Sequence, residues 1–258
     1  MTDNNEIVIA TNKNLTKKQE EDKQSKIYLS HIYSQKRRPI TDYPQKLSKE
    51  LIFRNSLKPG DKLLDAGCGR GDMLNAFKGN GLIVEGVDLS EESVKLLHPI
   101  KIYQKNLENE TIQGRENYYD IVFTKSLIEH LTSPLNFIKN CRNLIKDNGS
   151  LVVMTPSWVH HSFGPFYLDY THTTPFTLHS LRDIGYLAGF SSVKVEYFYQ
   201  LPFVWEKPFL TLIPKIISFL KLPYMPMYEQ LTKVVFPEKI NRLIRFSREV
   251  MLYAVMKK

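Results

Sequence analysis

Two cysteines in 258 residues cannot build a disulfide framework, so a small secreted scaffold finds no support. No run of about 18 apolar residues occurs, and no membrane-spanning helix is predicted. With 12 glycines and 14 prolines the chain is neither collagenous nor low-complexity. Met1–Glu6 is polar and the apolar run Ile7–Ala10 after it is short, so no secretory leader is read there. These absences predict a reducing, cytoplasmic setting. What remains is ordinary globular composition, 42% hydrophobic and 24% charged, long enough for a sizeable core. A net charge of +8 suits phosphate, an anionic membrane face or nucleic acid as partner, and equally a soluble basic protein.

Residues 1–45 read as a tail followed by a strap or lid. Thr11–Lys26 is rich in Lys, Glu, Gln and Asn, a solvated helix or tail, and Tyr28, Tyr33, Arg37, Arg38 and Tyr43 form a basic–aromatic stretch. Beyond it the pattern is regular. Leu47–Phe53 reads as a short helix, and strands are predicted at Lys62–Ala66, Leu82–Val87, Lys101–Gln104, Tyr119–Thr124 and Ser150–Met154. Between them fall helices over 72–78, after Ser90 and after Ser133. Ser90 is expected to cap ahead of Glu91 and Glu92. Ser133 is expected to cap a helix with Pro134 at its first position and an apolar stripe of Leu135, Ile138, Cys141 and Ile145. Asp147-Asn148-Gly149 reads as a turn into the fifth strand. Alternating strands and helices predict an α/β, doubly wound, mostly parallel sheet covered on both faces. Thr177–Ala188 follows as a helix ended by Gly189, then a strand at Ser192–Tyr199 and a terminal strand at Val250–Met256. The expected organisation is a tail and strap over 1–45, a core over 46–200, an inserted cap over 201–247 and a core strand within 248–258.

The strongest signal is Leu63-Leu64-Asp65-Ala66-Gly67-Cys68-Gly69-Arg70-Gly71. A strand entering closely spaced glycines and then a helix brings bare backbone against a ligand. Asp88 ends the next strand, where a carboxylate meets ribose hydroxyls at a sheet switch point. The spacing is G-x-G-x-G, not the G-x-G-x-x-G of dinucleotide binding, which weighs against an NAD-dependent oxidoreductase.

With Asp65 two residues before the first glycine, the sequence resembles class I S-adenosylmethionine-dependent methyltransferases. Further matches are Tyr119–Phe123, Ile128-Glu129-His130-Leu131 with Ser133-Pro134, Arg142-Asn143-Leu144 with Gly149, Thr155-Pro156 and Asp169–Thr177. These are similar to ubiquinone-type and methyltransferase type 11-like small-molecule enzymes, over roughly 45–200 and the last strand. The resemblance implies a Rossmann-like sheet whose last strand is antiparallel, with S-adenosyl-L-methionine as cofactor. It implies that Gly67 and Gly69 admit the methionine part, that Asp65 helps hold the loop and that Asp88 takes the ribose diol. Asn106 and Leu107 stand at the adenine positions, Asn106 where Asp is common in the family. Lys125 and Ser126 stand near the sulfonium.

A hydroxyl acceptor benefits from a base of near-neutral pKa, and His130 and His172 lie at the carboxyl edge of the predicted sheet. They are the catalytic candidates, with His160, His161 and Asp169 behind them. Glu129, His130, Asp169 and His172 could also form a carboxylate–imidazole set for a metal. They sit on two segments with no ligand spacing to enforce convergence, so no metal is assigned. The cap over 201–247 carries four net positive charges among Phe203, Trp205, Phe209, Leu212, Ile213, Ile216, Ile217, Phe219 and Leu220. Pro208 and Pro214 are expected to break it into short amphipathic pieces that either complete the core or touch an anionic membrane. The predicted activity is O-methylation of a small, glycan-related or lipid-linked acceptor. No N-P-P-Y or D-P-P-Y signature is present, and nucleic acid is not the expected partner. A noncatalytic cofactor-binding scaffold is the remaining rival.

Overall fold

A computed structural model describes residues 39–162, 165–224 and 237–258. Tyr28, Tyr33, Arg37 and Arg38 lie outside the described residues. Tyr43 opens helix α1, Tyr43–Arg54, four residues before the helix read from sequence. The tyrosine packs on Trp205 and bonds Gln200 through its hydroxyl.

The chain then builds β1 (Lys62–Ala66), α2 (Asp72–Gly79), β2 (Ile83–Asp88), α3 (Glu91–Leu96), β3 (Ile102–Gln104) and β4 (Tyr119–Lys125). There follow a 3-10 turn over Ile128–His130, α4 (Pro134–Leu144), β5 (Ile145–Pro156), the single turn α5 (Trp158–His161) and a 3-10 turn at Pro165–Leu168. Next come α6 (Leu178–Leu187), β6 (Ser192–Phe198), α7 (Pro202–Glu206), α8 (Leu212–Phe219), α9 (Glu238–Arg248) and β7 (Met251–Lys257). The seven strands form one sheet, ordered β3-β2-β1-β4-β5-β7-β6. Pairs from β3 to β5 are parallel, and β7 runs antiparallel to both β5 and β6. The Rossmann-like expectation holds, including the reversed last strand.

Successive strand residues point to opposite faces, and both faces are buried. Leu64, Val122, Leu151 and Val153 meet Phe137, Ile138 and Cys141 of α4 and Leu181 of α6 on one side. Leu63, Ile121, Phe123, Val152 and Met154 meet Leu47 and Leu51 of α1 and Phe77 of α2 on the other. This double cover explains the near-continuous apolar runs of β4 and β5.

Three local readings are corrected. Ser90 and Ser133 make no side-chain caps. The Ser90 hydroxyl is buried without a partner while its amide bonds Asp88, and the Ser133 amide bonds the Glu108 carboxylate. Ile145 belongs to β5 rather than to the α4 stripe, which Leu144 completes. Asp147–Gly149 does not precede β5 but forms an irregularity inside it, where the register to β4 shifts. By contrast, Thr177 and Ser180 form a capping box at the start of α6, and Gly189 ends it at φ +91°.

In the cap, Pro214 lies in the first turn of α8 and does not break it, because early helix amides need no intrahelical acceptor. Trp205 is part of the packing rather than the surface: its indole bonds the Tyr199 carbonyl at 2.8 Å and its ring meets Phe198.

Candidate active site

The glycine loop leaves β1 and enters α2. Gly67 and Gly71 adopt φ +80° and +78°, which side-chain-bearing residues rarely take. A Cβ at Gly67 would stand 2.9 Å from Leu127, and one at Gly71 would stand 2.2 Å from Leu97. The loop thus needs glycine for both its backbone and its neighbours. The Gly67 and Cys68 amides donate to the Val87 carbonyl at 2.8 and 3.3 Å. Asp88 ties the next layer: its two carboxylate oxygens accept from the Gly69 amide at 2.7 Å and the Ser90 amide at 2.9 Å.

A carboxylate has about four acceptor sites, and Asp88 spends two of them on these amides. Burial pushes the Asp88 pKa up, and the amide bonds pull against it. Asp65, at the floor of the loop, is pushed up to about 8 by burial and the Asp88 charge, against the pull of Lys125. Among the described residues, Val87 and Asp88 accept from the loop's amides, and Asp65 lies buried near the end of β1.

At the end of β4, Ser126 sits at φ +55°, an uncommon conformation for a residue with a side chain. Its amide donates to the Met154 carbonyl at 2.9 Å, turning the chain away beyond Lys125. After β3, the Asn106 amide oxygen accepts from the Glu108 amide at 2.9 Å, and the Asn106 amide donates to Glu110 at 2.8 Å. Asn106 therefore builds a turn. Leu107 is buried, with its carbonyl held by Asn140 at 2.8 Å. Both follow the carboxyl end of the strand paired to β2, on the Asp88 side of the glycine loop.

The second cluster lies beyond β4 and β5. His130 and His172 have ring centroids 4.6 Å apart, although 41 residues separate His130 from Thr171, the neighbour of His172. Backbone bonds bring them together. The amides of Thr173 and Thr174 donate to the Glu129 carbonyl at 2.8 and 3.0 Å, and both threonine hydroxyls donate to the Leu131 carbonyl. His172 Nδ1 faces the Phe166 carbonyl at 2.6 Å; a carbonyl only accepts, so that nitrogen carries the hydrogen. The Thr171 hydroxyl donates to Asp169 at 2.5 Å and stands 2.8 Å from His130 Nδ1. Having committed its proton, that oxygen accepts from His130. Burial pushes Asp169 up, but the bonds from Thr171 and the two imidazoles outweigh it and hold it below the ordinary value.

Glu129 is fully buried next to this pair and burial pushes it up to about 7. One of its oxygens accepts from the Thr155 hydroxyl at 2.8 Å, and the other is buried without a partner among the described residues. His161 is also buried, held down to about 4 with Nδ1 against the Ser157 carbonyl, a neutral packing histidine. His160 bonds the Ser157 hydroxyl and meets Tyr197 edge to face. Burial raises the thiols of Cys68 and Cys141, so neither is a nucleophile. Sequence reasoning missed Thr171, Thr173 and Thr174. Their clustering around one histidine was the available signal.

A seven-stranded sheet with this reversed strand, a glycine loop after β1 and an acid after β2 has the Rossmann-like form that suits a nucleotide-bearing cofactor. A family model described as a methyltransferase domain matches residues 33–195, more than half of the chain, and the protein belongs to that family. The ubiquinone biosynthesis O-methyltransferase of Shewanella sp. (strain ANA-3) is 31% identical over 121 residues, 42% of this chain and 51% of that one. The chain thus matches about half the length of that curated relative. A solved SAM-dependent methyltransferase from Archaeoglobus fulgidus is similar with TM-score 0.58 at 21% identity, covering 88% of this chain and 98% of that one. A Haemonchus contortus phosphoethanolamine N-methyltransferase, solved with S-adenosylhomocysteine, is similar with TM-score 0.53 at 19% identity, covering 83% of this chain and 52% of that one. The chain carries a methyltransferase domain, and the solved SAM-dependent methyltransferases share its fold. The family match replaces the oxidoreductase reading.

Proposed function

We propose that this enzyme methylates an oxygen of a small, glycan-related or lipid-linked acceptor, held between the glycine loop and the His130–His172 pair. The observation that carries this reading is the shared tautomer of the two imidazoles. Each commits Nδ1–H to a fixed oxygen, which orients the opposite ring nitrogen as a proton acceptor. When bound, S-adenosylmethionine supplies a methyl group already activated by sulfonium, leaving as S-adenosylhomocysteine with the electron pair of the broken carbon–sulfur bond.

The chain's own residues do the rest. Asp88 takes the ribose diol, Gly67 and Gly69 admit the methionine part, and Asn106 and Leu107 border the adenine. Lys125 and Ser126 line the methyl end, beside Leu127, which packs on Gly67. The acceptor oxygen gives its proton to His130 or His172 as its new bond to carbon forms. Placement in line supplies much of the acceleration.

The cap supports an amphiphilic acceptor. Phe209 and Phe219 are 76% and 84% exposed, and Leu212, Ile213, Ile216 and Leu220 are exposed with them. Lys207 and Lys215 are exposed on the same short stretch. Apolar side chains flanked by cations fit an anionic lipid surface, where the rings enter the headgroup boundary. No helix among the described residues is long and apolar enough to cross a membrane.

The test is transfer of labelled methyl from S-adenosylmethionine to fractionated lipids, glycans and small metabolites. Base-stable label in a lipid or glycan fraction is the expected result. Label confined to nitrogen-methylated products would overturn the oxygen assignment.

A further inference from the structure

On the basis of the oxygen-methylation reading, we propose that Trp158 and Tyr167 form a stacking platform that selects the acceptor, which presents its hydroxyl on a sugar ring. A run of aromatic rings reaches from solvent to the histidine pair. The Tyr167 ring meets Phe166 at 5.0 Å and Trp158 at 6.0 Å between centroids. Trp158 in turn meets Phe166 at 5.4 Å. Phe166, only 1% exposed, meets His172 at 4.6 Å, and His172 meets His130 at the same distance.

Backbone bonds hold this run in place. Ser157 and Phe176 pair in an isolated bridge, and the Trp158 amide donates to the Phe176 carbonyl at 2.8 Å. The Phe166 carbonyl holds His172 Nδ1 at 2.6 Å. A group resting on the outer rings is therefore set at a fixed offset from the imidazoles. Tyr167 nevertheless stays 60% exposed, and Trp158 is half-buried. Ring surface left in water beside a reaction site is surface that a ligand's own ring can cover with a gain in free energy.

The geometry favours a sugar over a flat aromatic acceptor. A flat aromatic ring is apolar on both faces and gains most in a slot that dries both. Here the Phe166–Tyr167, Trp158–Phe166 and Trp158–Tyr167 planes stand at 88°, 86° and 71°, so no two of these rings make parallel walls. What they offer is a one-sided, wet surface. A pyranose has a face of C–H bonds and a rim of hydroxyls. The C–H face suits the negative face of a single ring, and the rim needs polar neighbours. Such neighbours are present: Ser162 lies one helical turn past Trp158, Asp169 lies two residues past Tyr167, and neither is fully buried.

The experiment uses the full chain loaded with S-adenosylhomocysteine, whose affinity is measured on every variant as a check of folding and of the cofactor site. Methyl pyranosides of hexoses and deoxyhexoses are titrated while tryptophan emission is read, with catechol as the flat aromatic probe. A saturable change with a pyranoside is expected. It should vanish in Trp158→Phe, since the other tryptophan, Trp205, is packed on Phe198 within the cap. Tyr167→Leu keeps apolar bulk but removes the ring, and should weaken pyranoside binding at least ~5-fold, whereas Tyr167→Phe should bind within about twofold of wild type. Tyr186→Ala, at an exposed tyrosine on α6, should bind as wild type does. In labelled methyl transfer, Tyr167→Leu should raise KM for the pyranoside with kcat within about twofold. Equal pyranoside affinity in wild type and Tyr167→Leu would overturn the platform, as would no emission change with any pyranoside. A saturable change with catechol alone would overturn the sugar. Tyr167-dependent pyranoside binding with no methyl reaching oxygen would leave the platform standing and count against the oxygen-methylation reading alone.

Discussion

The amide of Thr173 donates to the carbonyl of Glu129 across 2.8 Å, and this bond sets His172 against His130. The connection after β5 is thereby docked onto the connection after β4, so two segments distant in sequence share one end of the site. Because the hydroxyls of Thr173 and Thr174 reach the Leu131 carbonyl as well, the dock is held on both sides of His130.

Removing the clamp should separate methyl transfer from cofactor binding. Thr173→Val with Thr174→Val keeps the backbone amides but deletes both hydroxyl bonds, worth about 1 kcal/mol each. The expected outcome is turnover lowered ~10-fold or more with S-adenosylhomocysteine affinity within about twofold of wild type, read by single-turnover kinetics and calorimetry. The Ser double variant should restore turnover.

Asp88→Ala removes the acceptor shared by Gly69 and Ser90 and the proposed ribose contact. Hydrogen bonds to a charged group contribute about 1.5–3 kcal/mol each, so cofactor affinity should fall at least ~10-fold. Calorimetry with S-adenosylhomocysteine measures it. Affinity equal to wild type would move the ribose elsewhere.

Asp65 makes stability depend on pH. Burial and the Asp88 charge raise it from 3.8 to about 8 in the folded chain. Between those values the folded state holds a proton that the unfolded state releases, so stability is greatest below the unfolded value. It is lost as pH rises towards the folded value, at up to about 1.4 kcal/mol per pH unit. Asp65→Asn should therefore flatten the fall in melting temperature between pH 5 and 8, followed by thermal unfolding in matched ionic strength. An unchanged slope would show that Asp65 is ionised throughout.

The exposed face of α8 should bind anionic vesicles and not neutral ones. Lys207→Glu with Lys215→Glu, or Phe219→Asp alone, is expected to reduce sedimentation with phosphatidylglycerol vesicles at least ~5-fold, and salt should weaken the wild type likewise. Arg245 is left out because it pairs with Glu249 at 2.8 Å and packs on Phe246. Sedimentation of the wild type no greater than with phosphatidylcholine would remove the membrane reading and leave a pocket cap.

The sequence by itself determined the sheet, the glycine loop and Asp88, because each is written in local pattern. Buried parallel strands need apolar runs, and a backbone that must take φ of +80° and +78° between Leu127 and Leu97 needs glycine at 67 and 71. It also marked His130 and His172 as candidates from their place at strand ends. What only the tertiary structure decided was their partnership. Hydrogen bonds from Thr173 and Thr174 to residues 129–131 join segments with no common periodicity, and no spacing rule reports such a contact. The same holds for Ser90 and Ser133, whose sequence context suits a helix cap. Asp88 and Glu108 compete for their backbone amides from elsewhere in the fold, and long-range hydrogen bonding decides the outcome.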